Sequence, residues 1–544
     1  MIAHGDEKIL KDLRKISDSR SGGPFYAPFV IFKPSRILLL AAESIAIPDD
    51  ATPAYRQVRS SLMQGDPHTV EYVKQWSDYL GANLLPHQLE SCSLAALDTS
   101  QFNGSQQGTG KTRSTLVLFK VWNAQRILVV LPRSLAGEWI AEIGRLQNYD
   151  LNITNLAINK PVATRIKMLE RATEGIVFVN YEVVAKMGPY LERFDPQVVA
   201  FDESWYLFNT SARVTRAAHL LARPPRIRIE LTGTSMSQNV GNLYSQMKIV
   251  DPENITETYD EFLHRYANMV PQRILSNKTI LKPVGCIDPV GLITRLGPKW
   301  YRATKATCLG LPPQTFEVVR LDLPPSVREL YERVKVEGES ALGNELSLAG
   351  EGIIWLRLHQ IAGGHAPIWE DMAQPEPVLT ELDSYKIDWI RNFAIERLRG
   401  DSSIKVLIWC RYNHEVYRLQ RELNEIVGTV AITGSTKDDT RDEYKKQFLD
   451  RSSGLQIMTM QIQKMAFGAN LQTGDFHIYH SNSWRYLLRS QSQDRSHRIG
   501  REQPVHYIDL IARNTIDEKI YDALSAHEDL ATRLSPDTVG VYGG

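Results

Sequence analysis

The sequence has few cysteines, no excess of either charge and no long apolar run. Its four cysteines, among 544 residues, are widely scattered and form no CxxC pair. This argues against a disulfide framework or a zinc site and favours a reducing, intracellular setting. The longest apolar stretch near the start, residues 37–47, is too short to span a bilayer and contains Glu43. We recognise no signal peptide and expect no membrane partner.

Charge is balanced, with 63 basic and 63 acidic side chains. This excludes a protein coated in positive charge, so any contact with nucleic acid must come from a local patch or from backbone amides and hydroxyls. The net charge itself neither supports nor excludes such a partner. The chain is too long for one hydrophobic core, and its length indicates three or four domains.

Short apolar runs recur in two sets after residue 84, and amphipathic stretches separate them. Such runs are typical of parallel strands that are buried on both faces and joined by helices. We therefore predict an α/β fold with two parallel-sheet lobes and a mostly helical region between them, at about 252–400. The first set comprises 127–132, 175–182, 198–202 and 227–234, and the second comprises 405–410, 430–434, 455–460, 476–481 and 505–511.

The strongest single motif is the glycine-rich segment SQQGTGKT, residues 105–112, which opens onto a predicted helix. Its glycines let backbone N–H groups approach phosphate oxygens, and the helix N-terminus adds partial positive charge. Lys111 is expected to reach the β and γ phosphates of ATP, and the Thr112 hydroxyl to bind Mg²⁺. Ser105 stands where the full pattern has glycine. The predicted nucleotide contacts are Gly108, Thr109, Gly110, Lys111 and Thr112.

A second motif, VVAFDES, closes an apolar run about 90 residues after the phosphate-binding loop. Asp202 at the carboxyl end of a buried strand can hold the Mg²⁺ ion, and Glu203 can orient or deprotonate the attacking water. An Asp-Glu pair alone is weak evidence, because most such pairs are surface charges. Its position after the loop and at the end of a strand is what indicates a hydrolytic site.

Together with further segments, these motifs resemble the superfamily-two helicase-like ATPases, and within them the Swi/Snf type. The resemblance covers residues 84–524. It implies an ATP-hydrolysing enzyme with two tandem RecA-like lobes at 84–298 and 299–544, the second including a helical linker at about 325–400, and an accessory region at 1–83. The matching segments beyond the two motifs are 84–90, 130–143, 179–182, 231–252, 300–305, 356–367, 405–412, 432–448, 464–484 and 491–501.

The resemblance also assigns roles around the nucleotide. Gln88 is the candidate reader of the adenine base, and Gln491 is expected near the γ-phosphate. Arg495 and Arg498, three residues apart, are expected to share a helix face on the second lobe and to meet ATP when the lobes close. A guanidinium suits the charge that develops on a transferring phosphoryl group, and Arg498 is the first choice as the arginine finger.

Three positions depart from the family pattern. Trp205 stands where the DEAH motif has histidine, Ser235 replaces the proline of TGTP, and Arg501 replaces the glutamine that ends the last motif. None is among the residues expected to bind or hydrolyse ATP. We therefore expect ATP hydrolysis to be retained. The property that these three departures would affect is the coupling of hydrolysis to movement.

In this family both lobes grip the phosphodiester backbone, which positions the protein without reading sequence. Duplex DNA with little sequence preference is the expected partner, and residues 1–83 are a candidate site for a protein partner. The expected DNA contacts are Ser134, Asn180, Thr232 and Thr234 on the first lobe, and Arg411, Thr433, Gly468 and Asn470 on the second.

Three functions remain open at this point. The first is a translocase that remodels or displaces something bound to duplex DNA, with ATP and Mg²⁺ as cofactors. The second is a strand-separating or branch-migrating helicase. The third is a catalytically weak scaffold that binds DNA and nucleotide. The intact Lys111, Glu203 and Arg498 set argues against the scaffold, and the Swi/Snf-like segments favour the translocase. The compact chain favours the cytoplasm of a bacterium or of a virus-infected cell, phage included.

Overall fold

The computed structural model describes residues 67–533, except 99, 224–225, 234–239, 276–277, 289–290, 293–294, 296–298, 343–347, 369–377, 466–470 and 499. The chain divides into two compact units. Of the described residues, the first contains 67–268, 283–308 and 530–533, and the second contains 269–282 and 309–529. Among the described residues, no helix is both long enough and apolar enough to cross a membrane.

The first unit is built on a seven-stranded parallel sheet of order β3-β4-β2-β5-β6-β1-β9. A separate two-stranded hairpin, β7–β8, precedes the last strand of this sheet in the chain, but nearly all of it belongs to the second unit. The strands in chain order are β1 (Ser100–Asn103), β2 (Arg126–Leu131), β3 (Ile153–Asn155), β4 (Gly175–Asn180), β5 (Val198–Asp202), β6 (Ile227–Leu231), β7 (Asn268–Leu275), β8 (Lys278–Val284) and β9 (Trp300–Tyr301).

Helices cover both faces of this sheet, which is why its central strands are apolar along their whole length. In β2, Ile127 and Val129 belong to the core on one face, and Leu128 and Val130 belong to the core on the other. The helices are α1 (Pro67–Tyr79), α2 (Pro86–Leu97), α3 (Lys111–Val121), α4 (Ala136–Ile143), α5 (Val162–Leu169), α6 (Tyr181–Phe194), α7 (Arg213–Leu221), α8 (Gly241–Val250), α9 (Tyr259–Tyr266) and the short α10 (Lys305–Cys308).

The second unit contains a six-stranded parallel sheet of order β10-β17-β16-β13-β15-β14 and an antiparallel pair, β11–β12. Its strands are β10 (Gln314–Leu321), β11 (His365–Ile368), β12 (Val378–Glu381), β13 (Val406–Cys410), β14 (Gly428–Ile432), β15 (Leu455–Gln461), β16 (Phe476–Tyr479) and β17 (Val505–Ala512). Its helices are α11 (Pro325–Leu342), α12 (Leu348–Ala362), α13 (Tyr385–Phe393), α14 (Asn413–Leu423), α15 (Asp438–Leu449), α16 (Ile462–Met465), α17 (Tyr486–Gln493) and α18 (Ile516–Arg533).

The predicted fold class, two parallel-sheet α/β lobes, is confirmed, and each of the nine predicted runs contains a strand. Strands β1, β3, β9 and β10 of the two sheets were missed, and the region at about 252–400, expected to be mostly helical, also contains strands. Strand β10 lies at a sheet edge, and all of its residues are partly or fully exposed. It therefore lacks the continuous apolar run that marks a strand buried on both faces. Phe316 in β10 is 58% exposed and stacks on Tyr507 of the neighbouring strand.

The units differ from the expected segmentation at two places. Strand β9 pairs in parallel with β1, so the first sheet continues past residue 298. Helix α1, in the expected accessory region, contributes Val73 to the same core cluster as Leu116 and Val117 of α3. Residues 67–83 are therefore packed onto the first unit. The remainder of the accessory region lies outside the described residues.

Candidate functional site

The glycine-rich loop lies between the carboxyl end of β1 and the start of α3. Gly108 and Gly110 have φ angles of 79° and 84°, in the left-handed region that favours glycine. A Cβ atom on Gly110 would lie 1.9 Å from Nε2 of Gln88. The backbone angle therefore favours glycine at position 110, and a side chain there would also displace the amide of Gln88.

Lys111 is the first residue of α3, where the helix N-terminus already favours negative charge. Its ammonium group donates to the carbonyl oxygens of Ser105 at 2.6 Å and Gln106 at 3.1 Å. The lysine thus lies over the loop rather than in solvent. A mobile cation, a positive helix end and a loop with left-handed glycines form an arrangement that fits a polyphosphate.

Asp202 ends β5, and its side chain is held from two directions. One carboxylate oxygen accepts from Trp139 Nε1 at 2.8 Å, and the other accepts from the backbone N–H of Glu203 at 2.9 Å. Burial raises the pKa of the Asp202 carboxyl, and the positive charge of Lys111 partly opposes this. Only β6 lies between β5, which Asp202 ends, and β1, from which the loop starts. A buried carboxylate in this position, under the influence of the Lys111 charge, fits a Mg²⁺ ligand.

The Glu203 carboxylate is held by two neutral donors. Oε1 accepts from Gln107 Nε2 at 2.9 Å, and Oε2 accepts from Trp205 Nε1 at 3.0 Å. Glu203 itself has a φ angle of 52°, an uncommon conformation for a residue with a side chain. Such backbone strain is stored at functional sites when the surroundings hold it.

Aromatic stacking fixes the position of Trp205. Its ring packs on Tyr206 with centroids 4.1 Å apart, and Tyr206 stacks on Tyr181 at 4.6 Å with the planes 3° apart. The Tyr181 hydroxyl donates to the backbone carbonyl of Asp202 at 2.8 Å. The departure from the family histidine is therefore part of the structure that positions Glu203, which sequence reasoning did not anticipate.

Gln88, the candidate reader of the adenine base, lies against the loop, and both ends of its amide bond to the protein. Nε2 donates to the carbonyl oxygen of Thr109 at 2.8 Å, and Oε1 accepts from the backbone N–H of Leu85 at 2.9 Å. His87, which sequence reasoning missed, also contacts the Thr109 carbonyl, at 2.9 Å. In this structure the segment therefore braces the loop.

A second brace comes from the segment around β9. The carbonyls of Tyr301 and Ala303 accept from the backbone N–H groups of Gly104 at 2.8 Å and Gln106 at 3.0 Å. The Ser105 hydroxyl accepts from the backbone N–H of Ala303 at 3.0 Å. The serine that replaces a family glycine thus anchors the loop. Sequence reasoning missed these contacts, because most of them join backbone groups, which every residue has whatever its side chain.

On the second unit, Gln491 is fully buried in α17, and Arg495 is 5% exposed, with its Nε donating to the Gln491 carbonyl at 2.9 Å. The expectation that Arg495 and Arg498 share a helix face is wrong, because α17 ends at Gln493 and both lie in the following turns.

Contacts with residues distant in the chain replace the helical hydrogen bonds after Gln493, where α17 ends. The backbone N–H of Leu471 donates to the Arg495 carbonyl at 3.1 Å. The Ser496 hydroxyl donates to the Leu471 carbonyl at 2.6 Å and contacts His477 Nε2 at 2.8 Å. Arg498 follows, partly exposed.

The described DNA-contact candidates lie at or just after the carboxyl ends of strands, but they differ in exposure. Ser134 is exposed after β2, and Arg411 is partly exposed after β13. Asn180 is 5% exposed, and Thr232 and Thr433 are fully buried. Of these described candidates, only the first two present their side chains toward the surface. Thr234, Gly468 and Asn470 lie outside the described residues.

The buried candidates have partners inside the protein. Asn180 accepts from Arg165 at 2.7 Å and donates to Glu182 at 2.5 Å. The Thr433 hydroxyl lies 2.9 Å from the hydroxyls of both Tyr417 and Ser435. Tyr417 is 47% exposed, so a polar surface surrounds Thr433 even though Thr433 itself is buried.

Arg501, noted above as a departure from the family pattern, and Trp300, in the matching segment 300–305, are both buried. Arg501 is 7% exposed and pairs with Asp475 at 2.9 Å while donating to three backbone carbonyls. Trp300 is fully buried beside Phe102, with ring centroids 5.8 Å apart. Neither residue presents its side chain to solvent.

Comparison with known proteins places this site in a family. The family description "SNF2-related domain" matches residues 52–359. A SWI/SNF chromatin-remodeling complex subunit of Schizosaccharomyces pombe is 25% identical over 491 residues, which cover 85% of this chain and 28% of the relative. An uncharacterized ATP-dependent helicase of Mycoplasma genitalium is 21% identical over 478 residues, with 85% and 43% covered. The chain spans less than half the length of either relative.

Among solved structures, the Sulfolobus solfataricus SWI2/SNF2 ATPase core in complex with dsDNA is 20% identical, with a TM-score of 0.38 and coverage of 85% of this chain and 95% of that one. The family match spans more than half of this chain and includes the glycine-rich loop and the Asp-Glu pair described above. The chain therefore belongs to the SNF2-related family of helicase-like ATPases.

Proposed function

We propose that this protein is a DNA translocase or remodeller that couples ATP hydrolysis to movement on double-stranded DNA. The observation that carries the proposal is the joint geometry of Lys111, Asp202 and Glu203: a cation at a helix N-terminus, a buried carboxylate and a second carboxylate held by two donors. This set supplies phosphate binding, a metal ligand and a general base in one unit.

The bound nucleotide would be held by the loop and by Lys111, with Thr112 and Asp202 as ligands of Mg²⁺. Magnesium, when bound, would neutralise charge on the phosphates. The Glu203 carboxylate would accept the proton of the attacking water, while Gln107 and Trp205 keep its oxygens in place. Gln491, Arg495 and Arg498 of the second unit are proposed to complete the site, with Arg498 stabilising charge on the transferred phosphoryl group.

Duplex DNA is the proposed track. The side chains of Ser134 and Arg411 reach the surface at the carboxyl edges of the two sheets and are suited to phosphate contacts. Because the side chains of Asn180, Thr232 and Thr433 are buried, they would support the conformation of the neighbouring loops rather than contact phosphates directly. Thr234, Gly468 and Asn470 remain proposed contacts. Contacts of this kind carry little sequence information, so we propose weak sequence preference.

A strand-separating helicase is the second candidate, and one observation favours it. Strand separation needs a wedge at the fork, and hairpin β7–β8 belongs to neither parallel sheet. Its described side chains include Val270, 41% exposed, and Leu281, 54% exposed. Trp355, a candidate aromatic pin, is 39% exposed and packs on Trp484 with ring centroids 5.4 Å apart.

A triplex assay separates the two functions. A third strand is laid on duplex DNA, and its release is followed beside the unwinding of a forked duplex, both with ATP and Mg²⁺. Release of the third strand without unwinding is the expected result. Efficient unwinding of the fork without triplex release would reject the translocase in favour of the helicase. The Glu203→Gln variant is the control for hydrolysis, and it should do neither.

A further inference from the structure

Three side chains with metal-binding atoms meet at the carboxyl edge of the second sheet, and a fourth approaches one of them. Cys410 ends β13, Glu415 lies in the first turn of α14, and His480 follows β16 directly. The Cys410 sulfur, a Glu415 carboxylate oxygen and a His480 ring nitrogen all lie within 4.8 Å of one another. His365, the first residue of β11, approaches the same carboxylate. All four side chains are at most 1% exposed.

The nitrogen and oxygen ligand atoms in this cluster make no hydrogen bond of normal length among the described residues, although Glu415 Oε1 forms looser ion pairs with the two histidines. These atoms are Glu415 Oε1, His365 Nδ1 and both ring nitrogens of His480. Buried polar atoms are almost always satisfied in folded proteins, so four unsatisfied atoms in one cluster need an explanation. A bound ion is one such explanation.

The Glu415 carboxylate is oriented toward the cluster by its other oxygen. Oε2 accepts from the Ser481 hydroxyl at 2.5 Å and from the backbone N–H of Tyr412 at 3.2 Å. With Oε2 held in this way, Oε1 faces His480 Nδ1 at 3.7 Å and His365 Nδ1 at 3.9 Å. Outer hydrogen bonds of this type are what orient metal-ligating carboxylates.

We propose that Cys410, Glu415 and His480 bind a structural Zn²⁺ ion, and that His365, which lies outside the group within 4.8 Å, moves toward the ion to become the fourth ligand. Zinc bonds of about 2.0–2.3 Å in a tetrahedron place neighbouring ligand atoms roughly 3.3–3.8 Å apart. For a nitrogen–oxygen pair, with bonds of about 2.0–2.2 Å, the separation would be roughly 3.3–3.6 Å. The His480–Glu415 separation of 3.7 Å would therefore shorten slightly on binding, and His365, 3.9 Å from Glu415, would move further.

The ligand chemistry selects zinc over harder cations. Sulfur and imidazole nitrogen are ligands for Zn²⁺, whereas Mg²⁺ and Ca²⁺ take oxygen. One thiolate and one carboxylate would balance the two charges of the ion, and the Cys410 proton would leave for solvent on binding. All four ligands belong to the second unit, and none is among the residues proposed to bind or hydrolyse ATP, so the zinc proposal stands whatever the outcome for the proposed function.

The ion would join the ends of β13 and β16 to the start of α14 and to β11, beside Arg411. Its role would be to hold this edge of the sheet together. The sequence offered no signal for it, because the ligands are spread from residue 365 to 480 and form no short-spaced motif.

The first test is metal content of the wild-type full-length chain, purified without a polyhistidine tag and dialysed against metal-free buffer. Mass spectrometry for metals should find one zinc per chain. Replacement by Co²⁺ should give the visible bands of tetrahedral cobalt and a near-ultraviolet thiolate-to-cobalt band. Zinc far below one per chain, together with no thiolate–cobalt band on adding Co²⁺, would overturn the proposal. The cluster would then be a metal-free Glu–His network.

The second test uses Cys410→Ser, with Cys92→Ser as the matched control. Cys92 is also fully buried, but lies in the first unit with its thiol donating to the Ser114 carbonyl at 3.3 Å. Cys410→Ser should lose the thiolate–cobalt band and bind zinc more weakly, and Cys92→Ser should keep both. A band that persists in Cys410→Ser would remove Cys410 from the site. The wild-type measurement stands even if Cys410→Ser fails to fold.

Discussion

At the scale of single residues, the Glu203 carboxylate shows how a departure from the family motif can be accommodated. Trp205 replaces histidine, yet its indole N–H donates to Glu203 at 3.0 Å, while Gln107 holds the other oxygen at 2.9 Å. Indole and imidazole both offer a ring N–H donor. The substitution therefore retains a donor beside the proposed base.

Replacing Trp205 by phenylalanine should test this donor. Phenylalanine can still stack on Tyr206 but has no N–H. A hydrogen bond to a charged group contributes about 1.5 kcal/mol or more, so we expect kcat for ATP hydrolysis to fall roughly tenfold with little change in KM. Trp205→His should recover most of the rate. An unchanged kcat in Trp205→Phe, or equal losses in both variants, would mean that the N–H does not position Glu203.

The phosphate-binding and base roles have a direct test. Lys111→Ala should abolish hydrolysis, because the loop loses its mobile cation. Glu203→Gln should bind ATP but turn it over slowly, because the amide cannot accept the proton of the water. Steady-state ATPase rates and the binding of a fluorescent ATP analogue measure the two properties. Near wild-type turnover in either variant would mean that the site is misassigned.

At the scale of elements, the loop before α3 depends on conformation as much as on charge. Gly110 combines a φ angle of 84° with the approach of Gln88. The braces from α2 and β9 hold the loop from two further sides. A change confined to the backbone of this loop should therefore remove function while leaving the fold.

Gly110→Ala should lower ATP affinity strongly, because its Cβ would displace Gln88 and strain the left-handed residue. Gly137→Ala in α4 is the matched control: a Cβ there meets nothing within 4 Å. An exposed helical glycine replaced by alanine should keep ATP binding and gain up to about 1 kcal/mol of stability. Titration with an ATP analogue and thermal unfolding check both. Wild-type affinity in Gly110→Ala would contradict the role given to the loop.

The packing of α7 on α8 predicts a pH dependence. His219 Nε2 lies 3.2 Å from the Ser245 hydroxyl, and burial, with the nearby charge of Lys248, lowers the pKa of His219 to about 4. The unfolded chain, with its ordinary value of about 6.5, takes up a proton first as pH falls. The contribution to stability is therefore complete above about pH 6.5 and is lost progressively toward pH 4.

His219→Gln should remove this component. Denaturant unfolding at pH 7 and pH 5 should show a smaller loss of stability on acidification in the variant than in the wild type. The same loss in both proteins would show that His219 does not titrate in this way.

At the scale of the whole molecule, the two units are proposed to work as one motor through ATP and DNA. Arg498→Ala should leave nucleotide affinity nearly unchanged and lower turnover by something on the order of a thousandfold, as loss of an arginine finger does in related chemistry. Arg399→Ala, which removes an exposed arginine of the second unit, is the control and should change neither. Lost ATP binding with unchanged turnover would place the finger elsewhere.

Duplex DNA should stimulate hydrolysis, and the stimulation should weaken as salt rises, because phosphate contacts release counterions. ATPase rates with single-stranded, duplex and forked DNA and with RNA, each over a range of salt, provide the measurement. A rate that is insensitive to salt and equal with and without any nucleic acid would contradict the motor.

Much of the architecture was predictable, because its evidence is local in the chain. Most of the buried strands have continuous apolar runs, although β1 is buried with the sequence SQFN, and the loop with Lys111 is one short stretch. Strand β10 was not predicted, because this exposed edge strand has no continuous apolar run. The end of α17 at Gln493 was not predicted, because the contacts that follow it involve Leu471 and His477, which are distant in the chain.

The sequence by itself determined the two parallel sheets, the glycine-rich loop and the Asp-Glu pair, because each rests on residues that are neighbours in the chain. Tertiary structure decided which side chains reach the surface, so that Asn180 is buried while Ser134 is exposed. It also brought Trp205 to Glu203 and gathered Cys410, Glu415 and His480 at one edge. The physical reason is that the order of strands in a sheet, which sets these encounters, depends on packing across the whole unit.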